Sequence, residues 1–135
     1  MPENTLVAIT ITVLALLQFV VFGILVGRAR GLYNVQAPAV TGNEVFERYF
    51  RVQMNTLEQL VLLLPALWIA AVYAFVAYYW IALIGALYLI GRTLYLRGYV
   101  ADPKKRGPGY AMSALPVMVL IVIDLIGVII HWIRA

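Results

Sequence analysis

Residues 59–91, QLVLLLPALWIAAVYAFVAYYWIALIGALYLIG, carry no charged side chain. A helix rises about 1.5 Å per residue, so about 20 apolar residues cross the hydrocarbon core of a bilayer. A charge-free run of 33 residues is too long for one crossing. Its flanks are helix-like, so it is expected to hold parts of two helices, about 44–72 and about 79–99, with a hinge near Tyr73–Trp80. Upstream, Thr5–Gly27 gives 23 uncharged residues and a first crossing. Downstream, about 109–132 forms a fourth, broken only by Asp124. An open sheet cannot satisfy its backbone in lipid, and the chain is too short for a barrel. The fold class is therefore all-α, an integral membrane four-helix bundle, with residues 1–135 as a single domain. The start, Met1-Pro2-Glu3-Asn4, lacks a basic region, and the run after it is too long for a signal peptide. The first crossing is thus expected to be retained.

Composition agrees. Of 135 residues, 64% are hydrophobic and 12% are charged, against about 25% charged in a soluble domain. This excludes a water-soluble domain and disorder alike. There is no cysteine and one histidine, His131. That removes disulfides, thiolate metal sites, iron–sulfur clusters, multi-histidine metal sites and any protein thiol nucleophile. Any sulfur chemistry must arrive on a ligand.

The net charge of +4 reads as topology rather than nucleic-acid binding, because the cations flank the apolar runs. Arg28 and Arg30 lie in the first loop, and Arg97, Lys104, Lys105 and Arg106 in or beside the third. Arg134 alone marks the other side. The positive-inside rule then places both basic loops in the cytoplasm and both termini outside. Trp80, Trp132, Tyr73, Tyr78 and Tyr79 are expected to form the outer aromatic belt. Pro65 and Pro116 lie inside helices, where each removes a backbone donor and is read as a packing bend. The short loops suit a bacterial inner membrane.

The chemistry sits in two stripes. Arg48, Arg51, Asn55 and Glu58 follow one another at helical spacing, with Gln59 beside them. Tyr88, Arg92, Tyr95 and Tyr99 do the same on the third helix. Both stripes occupy the cytoplasmic halves of their helices. Glu58 lies about 20 Å along its helix, where a charge facing lipid costs roughly 2.5–3.5 kcal/mol on the insertion scale. Internal ion pairs, such as Glu58 with Arg51 or Arg92, are one way to satisfy it. Two aligned stripes plus a cationic loop favour a ligand site instead. Fixed cations, one deep carboxylate, amides and phenols complement a small molecule with several carboxylates and an amine, such as a short acidic peptide.

The segment Phe46-Glu47-Arg48-Tyr49-Phe50-Arg51-Val52-Gln53-Met54-Asn55-Thr56-Leu57-Glu58 resembles the second-helix signature of the MAPEG family, the membrane-associated proteins in eicosanoid and glutathione metabolism. Tyr88-Leu89-Ile90-Gly91-Arg92-Thr93-Leu94-Tyr95-Leu96-Arg97-Gly98-Tyr99 is similar to its third-helix signature. The resemblance implies a homotrimer that holds glutathione between subunits near the cytoplasmic face. It implies conjugation of glutathione to lipophilic electrophiles, as in detoxification, with glutathione-dependent peroxidase activity beside it. Carried over by position, Arg51, Asn55 and Glu58 hold the peptide, Gln53 reaches in from an adjacent subunit, and Arg30 contacts it too. Tyr95 and Tyr99 add hydroxyls, Arg92 supports the pocket, and Arg106 stabilises the thiolate as in the leukotriene-forming branch. Lys104 and Lys105 compete for that last role. Two departures bear on substrate preference: Gln59 stands where several members have tyrosine, and Arg30 is followed by Gly31 rather than a second arginine.

On this reading the thiolate attacks an electrophile that arrives through lipid, along an apolar groove between helices one and four. Asp124 is expected to be buried in protein, His131 to lie at the interface, Gln18 to bond between helices, and Met54 and Met118 to be core or lipid-facing. The alternatives are a non-catalytic lipid-binding member of the same family and a small proton-coupled exporter. An exporter of that kind places its essential acid in helix one, which here has none after Glu3.

Overall fold

A computed structural model describes all residues, Met1–Ala135. It contains α1 (Glu3–Leu32), α2 (Glu44–Val72), α3 (Tyr78–Ala101), a single 3-10 turn at Pro103–Arg106, and α4 (Gly107–Arg134), with no strand. All four helices are long and apolar enough to cross a bilayer. The protein is an integral membrane helical bundle.

α2 runs over the expected residues, whereas the other three helices extend beyond theirs. α1 continues through Arg28 and Arg30 to Leu32, so both arginines sit in its last turns rather than in a loop. Long cationic side chains can ride along the helix into the interface, so a charge ends the apolar run without ending the helix. α4 begins at Gly107, with Pro108 in its first turn, where a missing N–H costs nothing. Pro65 and Pro116 both lie within unbroken helices. The expected hinge is the short turn after Val72, in which Ala74 adopts a φ of 51°.

The chain runs up and down. The C-terminal ends of α1 and α3 and the N-terminal ends of α2 and α4 therefore meet at one end of the bundle, together with Arg28, Arg30, Arg97 and Lys104–Arg106. α1 packs on α2 and α3, and α4 packs on the same two helices. α1 and α4 share no packed seam, so the groove expected between them does not form within one chain. The apolar grooves that do form lie elsewhere. One of about 450 Å³ runs between α3 and α4 past Trp80, Leu83, Leu115 and Pro116. Another of about 340 Å³ runs between α1 and α3 past Leu6, Leu14 and Leu89.

The main core joins Ile11, Leu63, Leu67, Ile81, Val117 and Leu120 with a series of alanines: Ala8, Ala15, Ala66, Ala70 and Ala71. In lipid there is no hydrophobic drive between helices, so small residues that admit close backbone contact do much of the packing. The closest approach is between α3 and α4. A Cβ added at Gly91 would lie 2.6 Å from the backbone N of Ser113, and one at Gly109 would collide with the backbone of Tyr95. Interhelical hydrogen bonds add to this packing. Gln18 Nε2 donates to Leu89 O (2.8 Å) and Thr93 Oγ1 (3.1 Å), as its place in α1 suggested, and Trp68 Nε1 donates to Thr12 Oγ1 (3.1 Å).

At the far end, Asp124 is buried, as expected, with its Oδ1 unpartnered. No cation pairs with it, since the only ion pairs are Arg48–Glu44 and Arg51–Glu58. His131 packs against the ring of Phe75 at 5.6 Å. Met118 is half exposed on the outer surface of α4.

Candidate functional site

The site is built where α2 begins. The side chain of Asn43 accepts from Phe46 N (3.0 Å) and caps α2, with Glu44 and Glu47 in its first turn. A cap of this kind contributes about 1 kcal/mol. One turn on, Arg48 Nη1 donates to Val100 O (3.1 Å) and Ala101 O (3.4 Å), the last carbonyls of α3. A helix C-terminus leaves carbonyls without partners and carries partial negative charge, so a guanidinium there serves both needs. This contact pins the start of α2 to the end of α3 and sets the register of the two polar stripes.

Within that register, Arg51 Nη1 lies 3.3 Å from Glu58 Oε1. Asn55 Nδ2 donates to Glu58 Oε2 (3.1 Å), and Asn55 Oδ1 accepts from Arg92 Nη1 (2.6 Å). Glu58 is therefore paired with Arg51 and reaches Arg92 only through the Asn55 amide. Arg51 and Glu58 remain half exposed, at 50% and 56% of their side-chain surface.

Arg92 is the largest fully buried side chain in the protein. Isolated burial of a guanidinium is prohibitive, so every nitrogen needs a partner. Nε and Nη2 both donate to Ser113 Oγ, at 3.0 and 2.7 Å, while Nη1 serves Asn55 and, at 3.5 Å, Thr56 Oγ1. The guanidinium also lies 4.3 Å from the centre of the Tyr95 ring, a cation–π contact. One cation thereby ties α2, α3 and α4 together.

Beside this cluster lies a cleft of about 480 Å³ lined by Arg51, Asn55, Glu58, Tyr95, Tyr99, Arg106, Gly107 and Tyr110. Arg51 and Tyr99 also line an adjoining cleft of about 520 Å³ that reaches Arg48, Glu44 and Pro103. Six of the residues expected from the sequence thus surround one opening. Arg106 faces it, whereas Lys104 and Lys105 do not, and the carbonyl of Lys105 instead packs on Gly98.

Other expected residues stand apart. Arg30 donates to Val35 O (3.1 Å) and Ala39 O (2.6 Å) and covers the Phe46 ring, so in one chain it orders the first loop and does not line this cleft. Gln53 turns towards α1, its Nε2 lying where a Cβ on Gly23 would come within 3.0 Å. Arg92 lies behind the cleft as a support. Tyr88 is wholly buried in the apolar core with its hydroxyl unpartnered, and Gln59 is buried rather than in the opening. Two residues escaped the sequence reading. Tyr110 lines the cleft against the Tyr95 ring, at 6.2 Å between centres, and Ser113 holds Arg92. Tyr110 follows Arg106 by one helical turn, a spacing that could have revealed it.

The profile of the MAPEG family matches residues 7–126. The chain belongs to the MAPEG family. It is 34% identical over 128 residues to microsomal glutathione S-transferase 2 of Homo sapiens, covering 95% of this chain and 86% of that protein. It is 34% identical over 133 residues to leukotriene C4 synthase of Rattus norvegicus, covering 98% and 87%. It is also 47% identical over 119 residues to an uncharacterized protein of Synechocystis, covering 88% and 85%. Membership in the MAPEG family and these relatives support a glutathione-related membrane transferase at family level.

Proposed function

We propose that this protein is a membrane glutathione transferase that joins the glutathione sulfur to a lipophilic electrophile. The observation that carries the reading is the convergence of Arg51, Asn55, Glu58, Tyr95, Tyr99 and Arg106 on one cleft. Arg51 offers a planar donor fork for a carboxylate, and Glu58 accepts from an ammonium or peptide N–H. The Tyr95 and Tyr99 hydroxyls complete the polar lining. Arg106 lines the same cleft from the end of the turn that precedes α4.

A free thiol has a pKa near 8.5, and its thiolate is the nucleophile. Arg106 stabilises that anion without a proton transfer of its own, and the thiol proton passes to water. The thiolate pair forms the new S–C bond. The leaving group departs with its electron pair or, in a conjugate addition, the carbanion takes a proton from solvent. With a hydroperoxide as the electrophile, the same thiolate attacks the outer peroxide oxygen, the O–O bond breaks and the alkoxide leaves as the alcohol after taking a proton from solvent. A second glutathione condenses with the resulting sulfenic acid to give the disulfide and water.

The reading includes a homotrimer with basic ends in the cytoplasm and both termini outside, in a bacterial inner membrane. Arg51 and Glu58 are half exposed on an isolated chain, well inside a crossing where lipid contact is costly. A neighbouring copy removes that cost, and Gln53 and Arg30 are the residues it would add. Calorimetric titration of glutathione into the purified protein tests the core of the reading, with thiolate absorbance and conjugation of an activated aryl chloride as further measurements. Saturable binding at micromolar to millimolar glutathione, with thiolate formation and turnover, is expected. Absence of binding would refute it.

A further inference from the structure

We infer that Ser113 is a positioning residue for glutathione binding, acting from behind the cleft through Arg92 and Asn55. This rests on the glutathione reading above. Ser113 lines no part of the opening and is completely buried, so it touches no ligand. Its Oγ accepts from Arg92 Nε and Nη2 at 3.0 and 2.7 Å, and its hydroxyl points at Gly109 O and Tyr110 O, both at 3.0 Å. A serine hydroxyl has two acceptor sites and one proton, so these contacts use it fully.

The consequence runs along a chain of forced orientations. Guanidinium has donors only. With Arg92 held by Ser113, its Nη1 can meet only an acceptor, so the Asn55 amide must turn its oxygen towards Arg92 (2.6 Å). The amide nitrogen is then obliged to face Glu58 Oε2 (3.1 Å). Asn55 is thereby fixed as a donor to the carboxylate, and Glu58 is held against Asn55 and Arg51 with lone pairs left for a ligand. Without the Ser113 anchor, Arg92 can swing off Asn55, the amide is free to invert, and Glu58 loses its neutral donor. The close α3–α4 approach at Gly91 and Gly109 is what brings a short serine within reach of Arg92. Ser113 also bonds the turn that carries Tyr110, so one hydroxyl links the peptide-holding residues of α2 to the start of α4.

The test measures glutathione affinity by calorimetry and steady-state kinetics for the full-length protein and for Ser113→Ala, Asn55→Ala and the double variant. A hydrogen bond to a buried charged group is worth about tenfold in an equilibrium constant. Ser113→Ala is expected to weaken glutathione about tenfold, with kcat at saturating glutathione within about twofold. In the Asn55→Ala background the same change is expected to cost under about twofold, because the path it acts through is gone. Equal losses in both backgrounds, unchanged affinity in Ser113→Ala, or a loss confined to kcat would each overturn the inference. If Ser113→Ala does not fold, Ser113→Cys fills the site with a slightly larger side chain that is a poorer acceptor. It should weaken binding in the same direction, and unchanged affinity in it would equally overturn the idea. If the unaltered protein binds no glutathione, the functional reading itself falls. If it binds and the variants bind alike, only the role of Ser113 falls.

Discussion

The two ends of this bundle handle buried polarity in opposite ways. At the basic end, Arg92 is wholly enclosed, yet each of its nitrogens has a partner on a neighbouring helix, and the chain of bonds continues to a half-exposed ion pair at the edge of a cleft. At the far end, Asp124 is also buried, though at 8% exposure rather than none, and one oxygen has no partner and no cation approaches. A costly buried group is therefore not by itself a sign of function. What separates the ends is convergence. Side chains from α2, α3 and the turn before α4 meet around an opening at one end, whereas at the other a single acid sits on α4.

The largest expected effect breaks the basic end outright. Arg92→Met should destabilise the protein by about 2–6 kcal/mol, because Asn55 Oδ1 and Ser113 Oγ would each be left buried without their donor, at about 1–3 kcal/mol apiece. A thermal or denaturant unfolding midpoint in detergent reads this directly. Arg92→Lys should recover only part of the loss, since one ammonium cannot span Ser113 and Asn55 as the planar fork does. If Arg92→Met proved as stable as the parent, apolar packing alone would hold the basic end, and the contrast with Asp124 would disappear.

Next comes a split within the cleft. Arg106→Gln is expected to lower kcat by roughly 10²–10³, the usual loss for one preorganised donor to a developing anion. Glutathione affinity should change by less than about threefold. Calorimetry combined with the conjugation rate separates the two quantities. Equal losses in rate and affinity would make Arg106 a binding cation like Arg51, rather than the group that stabilises the thiolate.

The contrast between the ends also explains what could be read from the residues alone. Four crossings were legible because hydropathy acts along the chain, whereas the Asn43 cap that starts α2 is seen only in the structure. Arg51, Asn55 and Glu58, or Arg92, Tyr95 and Tyr99, were legible because a helix turns an interval of three or four residues into a shared face. Arg106 was chosen over two lysines only by resemblance, and the coordinates place it at the cleft. The rest depended on contacts between helices that spacing does not encode. Ser113 is one small hydroxyl in an apolar helix, and it matters because Gly91 and Gly109 draw two backbones together. For the same reason the helix-one to helix-four groove does not form within one chain: sequence order does not say which helices are neighbours, and here α2 and α3 stand between them.

The smallest expected effect lies at the far end. Asp124→Asn preserves the size and shape of the side chain. With no ion pair to lose and one oxygen already unpartnered, the amide should shift stability by less than about 1 kcal/mol in either direction. Glutathione affinity and turnover should be unchanged, because Asp124 sits towards the opposite end of α4 from Arg106 and Tyr110. The informative result is a large one. A drop in unfolding midpoint comparable to that of Arg92→Met would mean that Asp124 has a partner outside a single chain, with a neighbouring subunit the first place to look. A loss of turnover at constant stability would mean instead that the far end couples to the cleft through α4, and Asp124 could no longer be treated as a polar group that happens to be buried.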